Sequence, residues 1–304
     1  MATLVLLVLG GQMAGQAQPP LDPRRVIVSA GPGTKPLVRG FDGQTGSSLP
    51  APLNQFLAFS RGFRGGVRVA SCDLDGDGID EIVAGAGNGG RSAVRVFDGM
   101  SGAQLPAPLG AFRAFSGKST RAIYVACQGD YNNDQVPDIV VGAGAGGSSQ
   151  VRVFDGTTAQ QLTAPIGTFQ AFPSHYRGGV RVASCDFNND GVSDVVAGAG
   201  AGNRPLVRVY SGTDGSLLRS FHAFSKRYDG GVYVACGGDL SGDARPELIV
   251  GQGLDTPARV RVFDGATGQL RHQFLPYGRT FKGGVRVATC DLNQDGVADI
   301  VTGG

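Results

Sequence analysis

Short apolar runs bounded by glycine recur along the chain with a period of 52 to 57 residues. They are of three kinds, a GGVRVASC-like run, an IVAG-like run and a VRVFDG-like run. Alternation of apolar and polar residues, with β-branched residues and flanking glycines, is typical of strands. The VRVFDG-like runs lie at 38–43, 94–99, 151–156, 207–212 and 260–265. A segment with two spaced aromatic residues follows each, so every repeat predicts four strands.

Four strands per repeat describe the blade of a β-propeller, which buries its faces only by packing against neighbouring blades. The sequence therefore predicts an all-β chain with five four-stranded blades. The segments at 25–33 and 299–304 are halves of a repeat, and we expect these N-terminal and C-terminal half-blades to pair and close the ring. The expected blades are about 67–120, 121–177, 178–229, 230–282, and 283–304 joined with 24–64. An open piece of a longer array is the alternative.

A nine-residue acidic loop follows each GGVRVASC-like run, with oxygen-bearing side chains at positions 1, 3, 5 and 9. The copies are DLDGDGIDE (73–81), DYNNDQVPD (130–138), DFNNDGVSD (186–194), DLSGDARPE (239–247) and DLNQDGVAD (291–299). Ca²⁺ takes six to eight hard oxygen ligands, which such a loop supplies from its side chains and from a backbone carbonyl at position 7. An EF-hand would need Glu at position 12, where the first two copies have Ala84 and Val141.

The candidate calcium ligands are the residues at positions 1, 3, 5, 7 and 9 of the five loops. They are Asp73, Asp75, Asp77, Ile79 and Glu81; Asp130, Asn132, Asp134, Val136 and Asp138; Asp186, Asn188, Asp190, Val192 and Asp194; Asp239, Ser241, Asp243, Arg245 and Glu247; and Asp291, Asn293, Asp295, Val297 and Asp299. Gly78, Gly191 and Gly296 at position 6 allow a positive φ without steric cost. The second and fourth loops have Gln135 and Ala244 there, so a metal-free turn is the alternative for these two.

The acidic loop, the apolar strand after it and the Gly-Ala-Gly turn resemble the FG-GAP repeat, also called the VCBS repeat, of integrin α-subunit propellers and many bacterial secreted proteins. The resemblance covers residues 26–304, although the Phe-Gly pair that names the family is degenerate here. It implies a β-propeller with calcium in loops on one face, used for adhesion or as a scaffold. Some relatives are lectins or polysaccharide-degrading enzymes.

The N-terminal residues 1–17 resemble a short signal peptide, with an apolar core and small residues before a cleavage point, but without a basic residue. The alternative is a disordered start of a fragment. Residues 18–304 are expected to form a single propeller domain, since no linker or low-complexity tract divides them. The chain has no apolar run of 18 residues, so no membrane span is predicted. We expect a secreted or cell-surface protein, where millimolar calcium would fill loops of modest affinity.

Each repeat carries one cysteine. They are Cys72, Cys127, Cys185, Cys236 and Cys290. We expect buried free thiols, because packed sheets lie about 10 Å apart and a disulfide requires Cα atoms closer than about 7 Å. The odd number also leaves one cysteine without a partner.

The acidic residues are concentrated in the loops, which hold 17 of the 25 in the chain, whereas the 27 Lys and Arg residues lie mostly elsewhere. With the loops neutralised by metal, the strand arginines would form a basic field that attracts polyanions. The strand arginines are Arg68, Arg95, Arg152, Arg181, Arg208, Arg261 and Arg286. The alternative is that they only pair with neighbouring strands.

The sequence offers no catalytic constellation, because the three histidines occupy unrelated positions in their repeats and no G-x-S-x-G motif is present. We therefore expect a protein that is not an enzyme. The leading hypothesis is a secreted, monomeric, calcium-binding propeller that binds a surface glycan or protein, polyanionic glycans included, and no specific nucleic acid. The alternatives are a purely structural module of a larger adhesin and a calcium-dependent polysaccharide lyase or hydrolase, as in some relatives.

Overall fold

A computed structural model describes the backbone of residues 4–8 and residues 25–116, 121–163, 165–240, 245–254, 256–265 and 267–304. This part of the chain forms strands and no helix. Accordingly, the described residues contain no helix that is long and apolar enough to span a membrane.

Five four-stranded antiparallel sheets form the blades of a propeller, as the sequence predicts. The first blade contains β1 (Leu4–Val8), β2 (Arg25–Ala30), β3 (Leu37–Asp42) and β4 (Phe56–Leu57). The second contains β5 (Val67–Cys72), β6 (Glu81–Ala86), β7 (Ala93–Phe97) and β8 (Ala111–Arg113). The third contains β9 (Ile123–Gly129), β10 (Asp138–Ala143), β11 (Gln150–Phe154) and β12 (Thr168–Gln170). The fourth contains β13 (Val180–Cys185), β14 (Asp194–Ala199), β15 (Leu206–Tyr210) and β16 (Leu217–His222). The fifth contains β17 (Val232–Cys236), β18 (Leu248–Gln252), β19 (Val260–Phe263) and β20 (Leu270–Phe274), and a two-stranded sheet of β21 (Arg286–Cys290) and β22 (Asp299–Gly303) follows.

The closure of the ring differs from the predicted one. β1 pairs with β2, from Leu4 opposite Ala30 to Val8 opposite Val26, whereas β21 and β22 form a sheet of their own. The two half-blades therefore do not pair with each other. Contacts of β1 with both β5 and β21 place it in the innermost layer. The backbone edge of β2 is paired by the segment LVLLV, a run that sequence analysis assigned to a signal peptide.

The second strand of blades two to five is buried on both faces, because it lies inside its sheet and between two neighbouring blades. Every residue of β6, β10, β14 and β18 is buried, which explains their continuous Val, Ile and Ala sequences. In β22, four of the five residues are only half-buried, since no described strand covers its outer edge.

Aromatic residues and arginines connect neighbouring blades. Rings of the fourth segment pack on rings of the next third strand at centroid distances of 4.7 to 5.0 Å, in the pairs Phe56–Phe97, Phe112–Phe154, Phe169–Tyr210 and Phe221–Phe263. Third-strand arginines donate from Nη1 to an alanine carbonyl of the preceding blade at 2.8 to 3.1 Å, in the pairs Arg95–Ala58, Arg152–Ala114, Arg208–Ala171 and Arg261–Ala223. For these four arginines the structure shows the pairing role that was the alternative to a basic field.

The cysteines correct the expectation of free thiols. Cys72 and Cys127 form one disulfide and Cys185 and Cys236 form another, with Cα atoms 5.8 and 5.7 Å apart. These residues lie near the ends of innermost strands, which converge toward the axis and approach more closely than the average spacing of packed sheets. Only Cys290 is free and buried, and burial raises the pKa of its thiol to about 12.

Candidate metal centre

The acidic loops lie on one face of the propeller, because all innermost strands run in the same direction and each described loop follows the end of one. The first loop joins β5 to β6, and the second, third and fifth join the corresponding strands of their sheets. In the fourth loop, Ser241 and Asp243 lie outside the described residues. The predicted ligands of the other four loops can therefore be compared position by position.

The carboxylate at position 1 shapes the backbone of the loop. In the first loop, Asp73 accepts the N–H of Gly76 through Oδ1 at 2.8 Å and the N–H of Gly78 through Oδ2 at 3.0 Å. The position 6 N–H bonds in the same way to Asp130, Asp186 and Asp291 at 2.7, 2.8 and 2.9 Å. These hydrogen bonds from the backbone to the side chain hold the loop in its turn conformation.

Position 6 has a left-handed backbone conformation in each of these four loops. The φ angles of Gly78, Gly191 and Gly296 are 84°, 87° and 83°. Gln135 occupies the same position with a φ of 70°, a conformation that is costly for a residue with a side chain. The second loop therefore keeps the shape of the other three at the expense of local strain.

The carboxylate at position 9 is buried in the first four loops and half-buried in the fifth, and it connects the start of the loop to the end of the VRVFDG-like run. It accepts the backbone N–H of position 2 at 2.7 to 3.0 Å in all five loops, in the pairs Glu81–Leu74, Asp138–Tyr131, Asp194–Phe187, Glu247–Leu240 and Asp299–Leu292. Its other oxygen accepts the N–H of the last glycine of the VRVFDG-like run, in the pairs Glu81–Gly99, Asp138–Gly156 and Asp194–Gly212.

Burial of position 9 has an electrostatic consequence. It raises the pKa of Glu81 to about 8, of Asp138 to about 7 and of Asp194 to about 6. The neighbouring carboxylates of the loops add to this effect, because a second negative charge disfavours ionisation. A bound cation would reverse it.

The first loop brings three carboxylates together. Oxygen atoms of Asp73, Asp75 and Glu81 all lie within 4.8 Å of one another. Burial and the negative charges of Asp77 and Asp73 raise the pKa of Asp75. A set of converging carboxylate oxygens is the donor set that Ca²⁺ prefers, so these residues fit the ion. Asp77 stands outside the cluster and accepts the N–H of Ile79 at 2.7 Å.

In the second, third and fifth loops, asparagine replaces aspartate at position 3. Its Nδ2 donates to the position 5 carboxylate at 2.9 to 3.0 Å, in the pairs Asn132–Asp134, Asn188–Asp190 and Asn293–Asp295. That carboxylate also accepts the N–H of position 7, from Val136, Val192 and Val297. The structure therefore shows preformed turns in these loops, and three acidic groups do not converge in them as they do in the first.

Side chains that sequence analysis did not single out border the loops. Asn132 donates to Asp155 at 2.9 Å, and Thr213 donates to Asp190 at 3.2 Å. Asp98 lies close enough to Asp75 for its charge to contribute to the raised pKa of that residue. Asp98 and Asp155 are the aspartates of VRVFDG-like runs. The recurrence of this aspartate in the repeats is the sequence signal that could have identified them. Their carboxylates could add oxygen donors to a metal centre.

Comparison with known proteins agrees with the repeat pattern. The family model of the FG-GAP repeat matches residues 65–99, and that of the FG-GAP-like repeat matches residues 130–197. None of the curated proteins compared with the sequence matches it.

Two solved structures are similar in part. The Dos1 propeller is 14% identical with a TM-score of 0.49, over 94% of this chain and 63% of the other. The exotype rhamnogalacturonan lyase YesX is 15% identical with a TM-score of 0.40, over 93% of this chain and 55% of the other. The chain thus spans less than two thirds of the length of either. Its repeats, its blades and the matches to the two family models together make this chain an FG-GAP repeat protein.

Proposed function

We propose that this FG-GAP propeller binds calcium in its acidic loops and acts outside the cell as a scaffold for a surface glycan or protein. The observation that carries the calcium part is the convergence of Asp73, Asp75 and Glu81 in the first loop. These three side chains would hold the ion, which would supply positive charge to a loop that now concentrates negative charge. The other loops share the backbone of the first and are weaker candidates.

The location outside the cell is supported by two features. FG-GAP repeats are typically extracellular, and two of them match family models here. The two disulfides also support this location, because such bonds persist in oxidising compartments and are rare in the cytosol.

A binding role, as opposed to catalysis, is supported by the use of the loop carboxylates as backbone acceptors.

Calcium binding is tested by titration calorimetry and by thermal unfolding with calcium or with a chelator. Ligand binding to the native state alone should raise the melting temperature. Asp75→Asn removes one charge from the cluster and should weaken calcium uptake, whereas Asp229→Asn, an exposed residue in a turn away from the loops, should not. Absence of calcium uptake, or equal effects of the two substitutions, would contradict the proposal.

The scaffold role is tested by binding of the full chain to glycan and protein arrays with and without calcium. Calcium-dependent binding to a defined ligand is the expected result. Silence on both arrays would favour a purely structural module of a larger adhesin. Cleavage of an acidic polysaccharide during the assay would favour a lyase or hydrolase instead.

A further inference from the structure

A layer of arginine and tyrosine side chains surrounds the propeller axis at the end opposite the acidic loops. It consists of Arg68, Tyr124, Arg181, Tyr233 and Arg286, which we call the axial ring. Each residue lies near the start of an innermost strand and opposite a glycine of the second strand, in the pairs Arg68–Gly85, Tyr124–Gly142, Arg181–Gly198, Tyr233–Gly251 and Arg286–Gly303. The shared register places the five side chains in one layer.

The side chains of the axial ring alternate and stack. The Cζ atom of Arg68 lies 5.2 Å from the ring centroid of Tyr124, and that of Arg181 lies 5.5 Å from the same ring. On the other side, Tyr233 has Arg181 at 4.2 Å and Arg286 at 5.1 Å. Two tyrosines therefore separate three guanidinium groups, which reduces their repulsion through cation–π contact but leaves their charge in place.

No carboxylate of the described residues forms an ion pair with any of these three arginines. Arg181 is only 9% exposed, and its Nε has no hydrogen-bond partner. Nη1 of Arg286 is also buried without a partner. A buried donor of a charged group costs free energy when it makes no hydrogen bond. The axial ring therefore lacks a negatively charged hydrogen-bond acceptor for these donors.

The acceptors of the ring arginines lie farther away than those of the outer arginines. In blades two to five, the third-strand arginine donates to an alanine carbonyl at 2.8 to 3.1 Å, as in the pair Arg261–Ala223 at 2.8 Å. In the ring, Arg68 and Arg181 reach backbone carbonyls only at 3.4 and 3.2 Å. Arg286 has no hydrogen-bond acceptor among the described residues.

The pKa of Tyr124 reflects the positive potential of the ring. Burial alone would raise the pKa of Tyr124, but the guanidinium groups of Arg181 and Arg68 hold it at about 8. A potential that favours a phenolate also favours an oxyanion ligand. A phenol that accepts a hydrogen bond from a guanidinium keeps its own O–H for donation to such a ligand.

The neighbouring turn leaves room for the guanidinium groups. Gly231 has a φ of 78°, and a Cβ there would lie 2.6 Å from Nη1 of Arg181. Because glycine has no Cβ, the guanidinium group of Arg181 can lie directly beneath this turn at the end of the axis. Asp73 is five positions after Arg68 in the sequence. At the rise per residue of a strand, the ring and the first acidic loop are therefore roughly 16 Å apart along β5.

We propose that the axial ring is an anion-binding site, which takes an oxyanion such as a carboxylate, sulfate or phosphate group among its guanidinium and phenol groups. Arg286 stacks on one tyrosine, Tyr233, and is partly exposed. It supplies donors that have no acceptor in the described structure. The site does not depend on calcium, since it lies on the face opposite the acidic loops. Planar guanidinium donors suit the paired oxygens of such a ligand.

The test is a titration of the full chain with inorganic sulfate by calorimetry, in low salt and in the presence of a chelator. We expect saturable binding of sulfate. Arg286→Met should weaken that binding about tenfold, because it removes charge-assisted hydrogen bonds. Arg113→Met is the matched control, since Arg113 is an exposed arginine on β8, and it should leave the affinity unchanged.

Arg286→Lys keeps the charge and the stem of the side chain, so it tests the site even if Arg286→Met fails to fold. It should fold and weaken sulfate binding, because lysine lacks the planar fork of donors. No sulfate binding by the parent chain, unchanged affinity in Arg286→Lys, or equal losses in Arg286→Met and Arg113→Met would overturn the proposal. The calcium proposal is tested separately, because the chelator removes that ion from all of these measurements.

Discussion

At the scale of single residues, position 9 of the acidic loop has two tasks that compete. As a buried hydrogen-bond acceptor, Glu81 holds the N–H groups of Leu74 and Gly99 and so fixes the loop against the third strand. As a buried carboxylate close to Asp73 and Asp75, it adds a negative charge whose ionisation is unfavourable unless a cation is bound. The same residue is therefore a structural clamp and a candidate ligand.

The raised pKa of Glu81 predicts how stability varies with pH in a chelator. Its folded-state pKa of about 8 lies above the ordinary value of 4.5 for a glutamate, so the folded state binds the proton more tightly than the unfolded state. The contribution of this protonation to the free energy of unfolding is fully present below pH 4.5. It is lost as the pH rises through 8, and the loss is on the order of 5 kcal/mol. Urea unfolding at several pH values measures the loss.

Glu81→Gln is the control for this effect, because an amide cannot ionise and keeps one of the two acceptor oxygens, that which receives the N–H of Leu74 or of Gly99. The variant should show a shallower decline of the free energy of unfolding with pH. Saturating calcium should flatten the decline in the parent chain. A decline of the same slope in parent and variant would show that Glu81 is not its cause.

At the scale of secondary-structure elements, the innermost strands determine how neighbouring blades are joined. They converge near the axis, and disulfides connect β5 to β9 and β13 to β17. Blades two and three, and blades four and five, are thus covalent pairs. Cys290 on β21 has no partner among the described residues and is buried as a small apolar side chain.

The disulfides should stabilise the protein, because a closed loop of chain restricts the unfolded state. The Cys72–Cys127 bond spans 55 residues, and replacing both cysteines with alanine should lower the free energy of unfolding by about 2–4 kcal/mol. Chemical unfolding under oxidising conditions measures the difference. Cys290→Ala removes a buried thiol and no disulfide, so it should cost less. Equal losses in both variants would contradict a role for the bond.

At the scale of the whole molecule, the inner layer depends on a strand that is far from its neighbours in sequence. β1 pairs with β2 and contacts both β5 and β21, so it lies between the first complete repeat and the two-stranded sheet. The segment LVLLV is apolar enough to serve either in a core or in a signal peptide. The two roles exclude each other in the mature chain, because cleavage after residue 17 would remove β1.

Removal of residues 1–17 should therefore lower the melting temperature and promote aggregation, since it leaves the edge of β2 without a partner. Thermal unfolding and light scattering of the full chain and the shortened chain measure both effects. Removal of residues 1–3 alone, which precede β1, is the control. An intact mass that lacks the first 17 residues, combined with unchanged melting, would show instead that the segment is a dispensable leader.

The repeating unit follows from the sequence alone. Alternating apolar runs bounded by glycine are local signals, so the strand order, the acidic loops and the aromatic packing between blades could be predicted from them. The pairing of Phe221 with Phe263 follows from positions that recur in every repeat. The converging set Asp73, Asp75 and Glu81 also follows from loop spacing, because nine residues of a tight turn bring their ends together.

Contacts between distant segments depend on the assembled fold and could not be predicted from local signals. The closeness of Cys72 and Cys127 depends on the convergence of strands toward an axis, which the average spacing of packed sheets does not describe. Two apolar segments are equally suited by composition to pair with the edge of β2, the LVLLV segment and the first strand of the last repeat. The assembled fold determines that LVLLV is the partner. The axial ring depends on register across four blades and the two-stranded sheet, so its three arginines become a single charged layer only when the ring of strands is assembled.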